Sequence, residues 1–157
     1  MASDQRHNGL LDPTNIRLIE ELQGNARLTL AELGRRVGLS APAVAERMAR
    51  LEDAGVITGY HAAVDPRALG YGLGAIIRIR PAPRQIAAVA DLARETAEVA
   101  ECHRITGEDC FLMRLHVRDV EQLEELIDRF AFLGQTTTSI MQTSPVAARP
   151  APLPPCE

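Results

Sequence analysis

The chain contains no lysine: its 17 basic residues are all arginine. No lysine can therefore stand beside a carboxylate as a partner in proton transfer. No stretch approaches the ~20 consecutive apolar residues of a bilayer-spanning helix, so a helical membrane protein is not expected. The opening run MASDQRHNG lacks the apolar region of a secretory signal, so secretion is not expected either. Cysteine is scarce and odd in number, with three residues, which argues against a disulfide framework and fits a reducing cytoplasm. There is no close Cys-x-x-Cys-type pair, no phosphate-cradling glycine loop and no nucleophile motif. An excess of positive charge is missing too. The net charge is −4, so if DNA is the partner the positive charge must be local.

What remains is ordinary in bulk and specific in pattern. Hydrophobic content of 46% and charged content of 24% fit a soluble globular protein, and 157 residues make one large domain or two small ones. Residues 11–24 predict a helix, with Asp12 as N-cap, Pro13 at the first helical position and Ile16, Ile19 and Leu22 on one face. Residues 29–37 predict a second, short helix. Thr29 and Glu32 have the spacing of a capping box, Leu30, Leu33 and Val37 form the inward stripe, and Gly38 is placed to end it. Residues 40–54 predict a third, capped by Ser40 and stopped by Gly55, with Val44, Met48 and Leu51 inward. On its far side lie Pro42, Ala43, Glu46, Ala49 and Arg50, with Arg47 on the flank.

Two helices joined by Gly38-Leu39 and a cap have the spacing of a helix-turn-helix. From Arg27 to Arg50 there are five arginines against two glutamates, a local charge of +3. Small Ala41 and Ala43 allow close approach to a surface, and Arg47 and Arg50 can reach phosphates or guanine edges. Set against an ordinary helix with a solvated basic face, these features together favour a DNA reader.

Residues 56–64 read as β-like, and Asp65-Pro66 followed by Gly70 and Gly72 marks a hinge over residues 65–72. After it the rhythm changes. Leu73, Ala75, Ile77 and Ile79 alternate with Gly74, Ile76, Arg78 and Arg80 up to Pro81. Residues 84–96 predict a helix with Ile86, Val89, Ala90 and Ala93 inward, and residues 99–106 a weaker strand. Phe111, Met113, Leu115 and Val117 alternate with Leu112, Arg114, His116 and Arg118, the clearest strand in the chain. Residues 119–132 predict a helix burying Val120, Leu123, Ile127 and Phe130, and 136–143 a last strand. The order β-α-β-β-α-β is the ferredoxin-like arrangement, with two helices on one face of an antiparallel sheet and the other face free for another subunit. The fold class is therefore α+β, with a winged-type helix-turn-helix domain over 1–64 and a βαββαβ domain over 73–144. The closing stretch, residues 145–157, has five prolines in thirteen residues and predicts disorder.

Residues 105–110, ITGEDC, read as a turn with two chemistries open to it. A zinc site would need Cys102, His103, Cys110 and His116 to converge. Cys102 and Cys110 are eight residues apart, however, and adjacent Cys102 and His103 should face opposite sides of a strand. Adjacent Glu108 and Asp109 have no patterned base beside them, and Cys110 has no base partner, which disfavours an enzyme. A plain hairpin turn or a ligand-binding turn remains.

The stretches LDPTNIRLIEELQGNAR, TLAELGRRVGLS, ERMARLEDAGVITGY and ITGEDCFLMRLHV, in this order and spacing, resemble the leucine-responsive regulatory protein family, Lrp/AsnC, from about Leu10 to about Thr143. The resemblance implies a cytoplasmic transcriptional regulator that binds double-stranded DNA as homodimers associating to octamers. It needs no cofactor and responds to an amino-acid effector. By position it implies DNA contacts from Ser40, Ala41, Pro42, Ala43, Glu46, Arg47 and Arg50. It implies effector contacts from Gly107, Glu108, Asp109 and Cys110, completed by Thr136, Thr137 and Thr138. In many members this turn reads Gly-acid-aromatic-Asp. Here the last Asp is Cys110, a departure that points to a subgroup with a different or larger amino acid. An amino-acid sensor or assembly module without specific DNA binding is the alternative reading.

Overall fold

The computed structural model describes residues 9–155. The chain divides at Ala63/Val64 and again at Ala147/Ala148, so residues up to Ala63 and from Ala148 on form one unit and Val64–Ala147 the other.

The first unit holds three helices, α1 (Pro13–Gly24), α2 (Leu30–Val37) and α3 (Ala41–Asp53). Each begins on the capping residue its sequence offers: Asp12 accepts from the Asn15 N–H, Thr29 from Glu32 and Ser40 from Ala43. The capping box at Thr29 is only half made. Glu32 turns instead to Arg35 and Arg36, which sit three and four residues on along the same face. Leu18, Leu22, Leu33 and Val44 make the core, with Leu28, Val37, Leu39, Met48 and Ile57 around them. On α1 the inward anchor is Leu18 and not Ile19, because packing on α2 and α3 chooses between two stripes that both fit a helical period. Leu30 stands exposed at the first turn of α2.

The turn between α2 and α3 needs two glycines. Gly38 adopts φ 76°, the left-handed conformation of a helix end. Gly34 is buried beneath the turn, and a Cβ there would collide with the carbonyl oxygen of Leu39, whose N–H bonds the Gly34 carbonyl at 2.8 Å. Gly34→Ala is expected to cost roughly 2 kcal/mol by overpacking this turn, seen as a lower midpoint in urea with unchanged m-value. An unchanged midpoint would show that the turn has room to spare.

The β-like stretch 56–64 forms no strand. Val56 and Ile57 donate to the Leu51 carbonyl, and Thr58–Val64 run exposed with no ladder partner among the described residues. β-branched side chains favour extended backbone, but a strand exists only when a neighbour takes its N–H and C=O groups. Residues 145–155 form no helix or strand either, yet those from Ala148 on lie with the first unit, where Gln23 Nε2 donates to the Ala151 carbonyl at 3.3 Å. The last two residues of the expected disordered stretch lie outside the described residues.

In the second unit Asp65 caps a short 3-10 turn, Pro66–Leu69. Then follow β1 (Leu73–Pro81), α4 (Ile86–Glu95), β2 (Val99–Arg104), β3 (Phe111–Val117), α5 (Val120–Ala131) and β4 (Gly134–Ile140). The sheet is antiparallel throughout, in the order β2-β3-β1-β4, as the ferredoxin-like pattern requires. Ala75, Ile77 and Ile79 of β1 and Phe111, Met113, Leu115 and Val117 of β3 face Val89, Ala93, Leu123, Leu126 and Phe130 of the helices. Two expected helix faces are shifted. Val120 is exposed at the first turn of α5 while Leu126 takes the core position, and Ile86 opens α4 partly exposed. The last strand starts two residues earlier than its β-branched run, at Gly134. A Cβ there would overlap the Arg80 carbonyl and the Pro81 Cα, so glycine alone lets β4 meet the end of β1.

Candidate functional site

The exposed surface of α3 carries Pro42, Glu46, Ala49 and Arg50, with Ala41, Ala43 and Arg47 half-buried beside them and Ser40 exposed at its start. The two arginines of this helix differ. Arg47 Nη1 donates to Asp12 Oδ2 at 2.6 Å and to Asn15 Oδ1 at 2.9 Å. Asn15 is itself buried and donates to the Leu10 carbonyl at 2.7 Å. Arg47 thus ties α3 to the start of α1. Burial alone would push the Asp12 carboxyl up, but the Arg47 guanidinium and the Asn15 N–H outweigh it and hold it below the usual carboxylate range. Elsewhere in the unit Arg36 bridges Glu21 and Glu32, Arg35 pairs with Glu32, and Arg17 donates to the Arg36 carbonyl. Among the described residues Arg50 and Arg27 have no carboxylate partner, and both are exposed. The local +3 therefore concentrates on fewer side chains than a count implies.

In the second unit the 107–110 turn joins β2 to β3. The Ile105 N–H bonds the Cys110 carbonyl at 2.9 Å, and the Cys110 N–H bonds the Ile79 carbonyl at 3.0 Å. Gly107, at φ 115°, has open space where a Cβ would be. Glu108 points to solvent and is held by Arg80, whose Nη2 meets its carboxylate at 2.7 Å and whose Nε meets its carbonyl at 3.0 Å. Asp109 lies 3.6 Å from Arg78, too long for a hydrogen bond. Arg78 and Arg80 carry no site motif in the sequence, although their alternation with Ile77 and Ile79 puts them on the helix-free face. The link to the turn comes from register, which no local pattern carries.

The remaining expected contacts divide. Cys110 is half-buried and packs against the core, so its thiol is not presented with the acids. Thr137 pairs with Arg78 on the helix-free face, whereas Thr136 and Thr138 pair with Ile79 and Ile77 on the helix side. Strand geometry thus brings Thr137 alone of the three threonines to the arginines of the turn. Cys102 and His103 stand opposite Met113 and Leu112, hence on opposite faces, and burial pushes the Cys102 thiol up despite nearby Arg94. Among the described residues no three metal-ligating side chains gather.

The helix-free face also carries a charged chain: His103 near Glu101, Glu101 paired with Arg114, and Arg114 Nη1 2.9 Å from His116 Nε2. Burial, then the Arg114 charge, lowers the His116 pKa, partly opposed by Glu101. A lowered histidine value means that the unfolded chain takes up the proton first. Stability is therefore complete above about pH 6.5 and declines as pH falls toward the folded value. Between pH 7.5 and 5.5 the Tm of the wild type should fall more than that of His116→Gln; equal falls would remove His116 from the account.

Residues 11–58 match the model described as winged helix-turn-helix DNA-binding, and residues 74–151 match the Lrp/AsnC ligand binding domain. The chain is 39% identical to the Bacillus subtilis HTH-type transcriptional regulator YezC, over 85% of this chain and 95% of that one. The chain belongs to the Lrp/AsnC family. It is 34% identical to the Mycobacterium tuberculosis HTH-type transcriptional regulator LrpA, over 88% of this chain and 91% of the relative. A feast or famine regulatory protein of M. tuberculosis, solved in complex with L-methionine, superposes with a TM-score of 0.85 at 33% identity, covering 92% of this chain and 99% of the neighbour. The chain is accordingly a DNA-binding transcriptional regulator with an Lrp/AsnC ligand-binding half. Among the described residues no helix is long and apolar enough to cross a membrane.

Proposed function

We propose that this Lrp/AsnC protein reads double-stranded DNA with the exposed surface of α3 and adjusts its assembly or DNA binding to an amino acid held at the 107–110 turn. The observation that carries the reading is the charge pattern of that turn. Carboxylates of Glu108 and Asp109 alternate with guanidiniums of Arg80 and Arg78 beside open space at Gly107. An α-amino acid carries one charge of each sign and fits such a pattern by charge-assisted hydrogen bonds. The L-methionine bound by the M. tuberculosis neighbour supports an effector of this class.

At the DNA, Arg50 supplies the cationic contact, with Ser40, Ala41, Pro42, Ala43 and Glu46 forming the approach surface. Arg47 serves from behind by fixing α3 on α1. The helix-free sheet face, with Ile76 and Leu112 half-buried among its charged side chains, pairs with a second copy, and dimers associate further toward an octamer. The protein acts in the cytoplasm and is not an enzyme. The effector shifts the balance of two states by binding one of them more tightly.

Melting the protein with each of the twenty amino acids at millimolar concentration tests the sensor, since a ligand selective for the folded form raises the Tm. At least one apolar amino acid should do so, and no shift with any would sink the sensor half. Selection from a random duplex pool tests the DNA half. Enriched half-sites about one helical turn apart, or a multiple of it, are expected, and no enrichment would leave a sensor without specific DNA binding.

A further inference from the structure

The outer face of α1 carries a buried isoleucine in a groove that it shares with residues 149–154. Ile16 is only 6% exposed, yet it does not belong to the cluster built on Leu18, Leu22, Leu33 and Val44. Along it runs the end of the chain. A groove is lined by Ile16, Glu20 and Gln23 from α1 and by Arg149, Pro152 and Leu153 from the tail. Leu153 is half-buried while Ala151, Pro152, Pro154 and Pro155 on either side are exposed, which marks it as the anchor. Gln23 Nε2 donates to the Ala151 carbonyl, and Glu20 and Arg149 bring opposite charges to the same groove.

We propose that the outer face of α1 is a docking site for the chain's own proline-rich tail, residues 149–154. The chemistry suits such a segment. Prolines at 150, 152 and 154 fix their own φ and restrict the residues before them, so little freedom is lost on docking. An extended proline-rich chain makes no internal hydrogen bonds and leaves its carbonyls open to a side-chain amide such as that of Gln23. Apolar Leu153 then removes Ile16 from water. The docking has a consequence for the tether. The chain passes between its two units at Ala63/Val64 and again at Ala147/Ala148. With the tail docked, the DNA-reading unit is held at both passages; with it released, only at the first. The length of the tether is thereby set by a weak, peptide-like contact.

Isoleucine-methyl NMR of the whole protein in the presence of a soluble nitroxide reads this directly, because the nitroxide broadens methyls that water reaches. The Ile16 methyl should be shielded in the wild type. Broadening should rise several-fold in Leu153→Ser and in a chain ending at Ala147, and less in Gln23→Ala. The Ile57 and Ile77 methyls should hold, showing that both units stay folded. Equal broadening of Ile16 in the wild type and the truncated chain would overturn the proposal. So would its return to shielding when labelled truncated chains are dissociated and reassociated with unlabelled full-length ones, because the occupant would then be a neighbour's tail.

Discussion

Replacing Arg50 by alanine should weaken DNA binding about 100-fold in a dimer, while replacing Arg47 should chiefly lower the melting temperature. The two side chains lie about one turn apart on α3, and the sequence offers both as DNA contacts. Arg50 is exposed and has no carboxylate partner among the described residues, so its guanidinium is free to meet DNA without breaking an ion pair. One lost phosphate or base contact costs roughly 1–3 kcal/mol. A dimer loses two, and about 2.7 kcal/mol in total is a factor of about 100. If the contact is to phosphate, the slope of log affinity against log salt should also become shallower by about one for each arginine removed. Arg47 would have to leave Asp12 and Asn15 before it could touch a phosphate. Both members of the ion pair are partly exposed, so the pair itself contributes under about 1 kcal/mol. The buried Asn15 oxygen left without a donor adds about 1 kcal/mol more to the cost of Arg47→Ala. The sign with pH is fixed by Asp12. Its carboxyl is held below the usual range, so the stabilisation is present at neutral pH and is lost as pH falls through that lowered value. The gap in stability between wild type and Arg47→Ala should therefore narrow in acid. Anisotropy titrations against duplex DNA at several salt concentrations, beside melts of both variants, measure this. Comparable losses of affinity in the two variants, with an unchanged Tm for Arg47→Ala, would reverse the assignment.

The contrast between these arginines shows what is legible in a sequence of this kind. Helix starts and stops are local chemistry, and Asp12, Thr29, Ser40 and Gly38 sit where they were expected because each answers backbone groups within four residues. The strands of the second unit are legible from their period of two, and with them the βαββαβ order. Features that depend on a partner far along the chain are not legible. Leu18 displaces Ile19, and Leu126 joins the core while Val120 stands exposed, because the neighbouring element selects the stripe. Residues 56–64 have strand-like side chains but no partner strand within the described residues. The close approach that demands Gly134 lies 54 positions from Arg80, the residue it protects. The candidate site follows the same rule. The turn is legible at Gly107, while the arginines beside it follow from the register of β1 with β3, and the separation of Thr137 from Thr136 and Thr138 from that of β1 with β4.

Replacing Asp109 by alanine should weaken effector binding roughly 10- to 100-fold without unfolding the protein, and replacing Arg80 should act differently. The two acid–arginine pairs of the turn are not equally closed. Arg80 grips Glu108 twice, at 2.7 Å to its carboxylate and 3.0 Å to its carbonyl, and so braces the turn backbone. A ligand would have to displace both bonds to use either group. Asp109 and Arg78 stand 3.6 Å apart, close enough to attract and too far to bond, with Thr137 beside Arg78. An ammonium group on Asp109 and a carboxylate on Arg78 therefore exchange a loose contact for two charge-assisted hydrogen bonds. Such bonds contribute about 1.5–3 kcal/mol each, so one lost partner lowers affinity roughly 10- to 100-fold. Asp109 is partly exposed and its pairing is loose, so the ligand-free stability of Asp109→Ala should stay within about 0.5 kcal/mol of the wild type. Arg80→Ala leaves Asp109 and Arg78 in place but frees the turn, so the ligand must now order it. Affinity falls by the cost of that ordering, and hydrogen exchange at residues 105–110 rises even without ligand. Calorimetric titration with the amino acid that raises the Tm, together with exchange on ligand-free protein, separates the two roles. Full effector affinity in Asp109→Ala would move the site away from this turn. Unchanged exchange in Arg80→Ala would show that the turn is held by its backbone bonds to Ile79 and Ile105 alone.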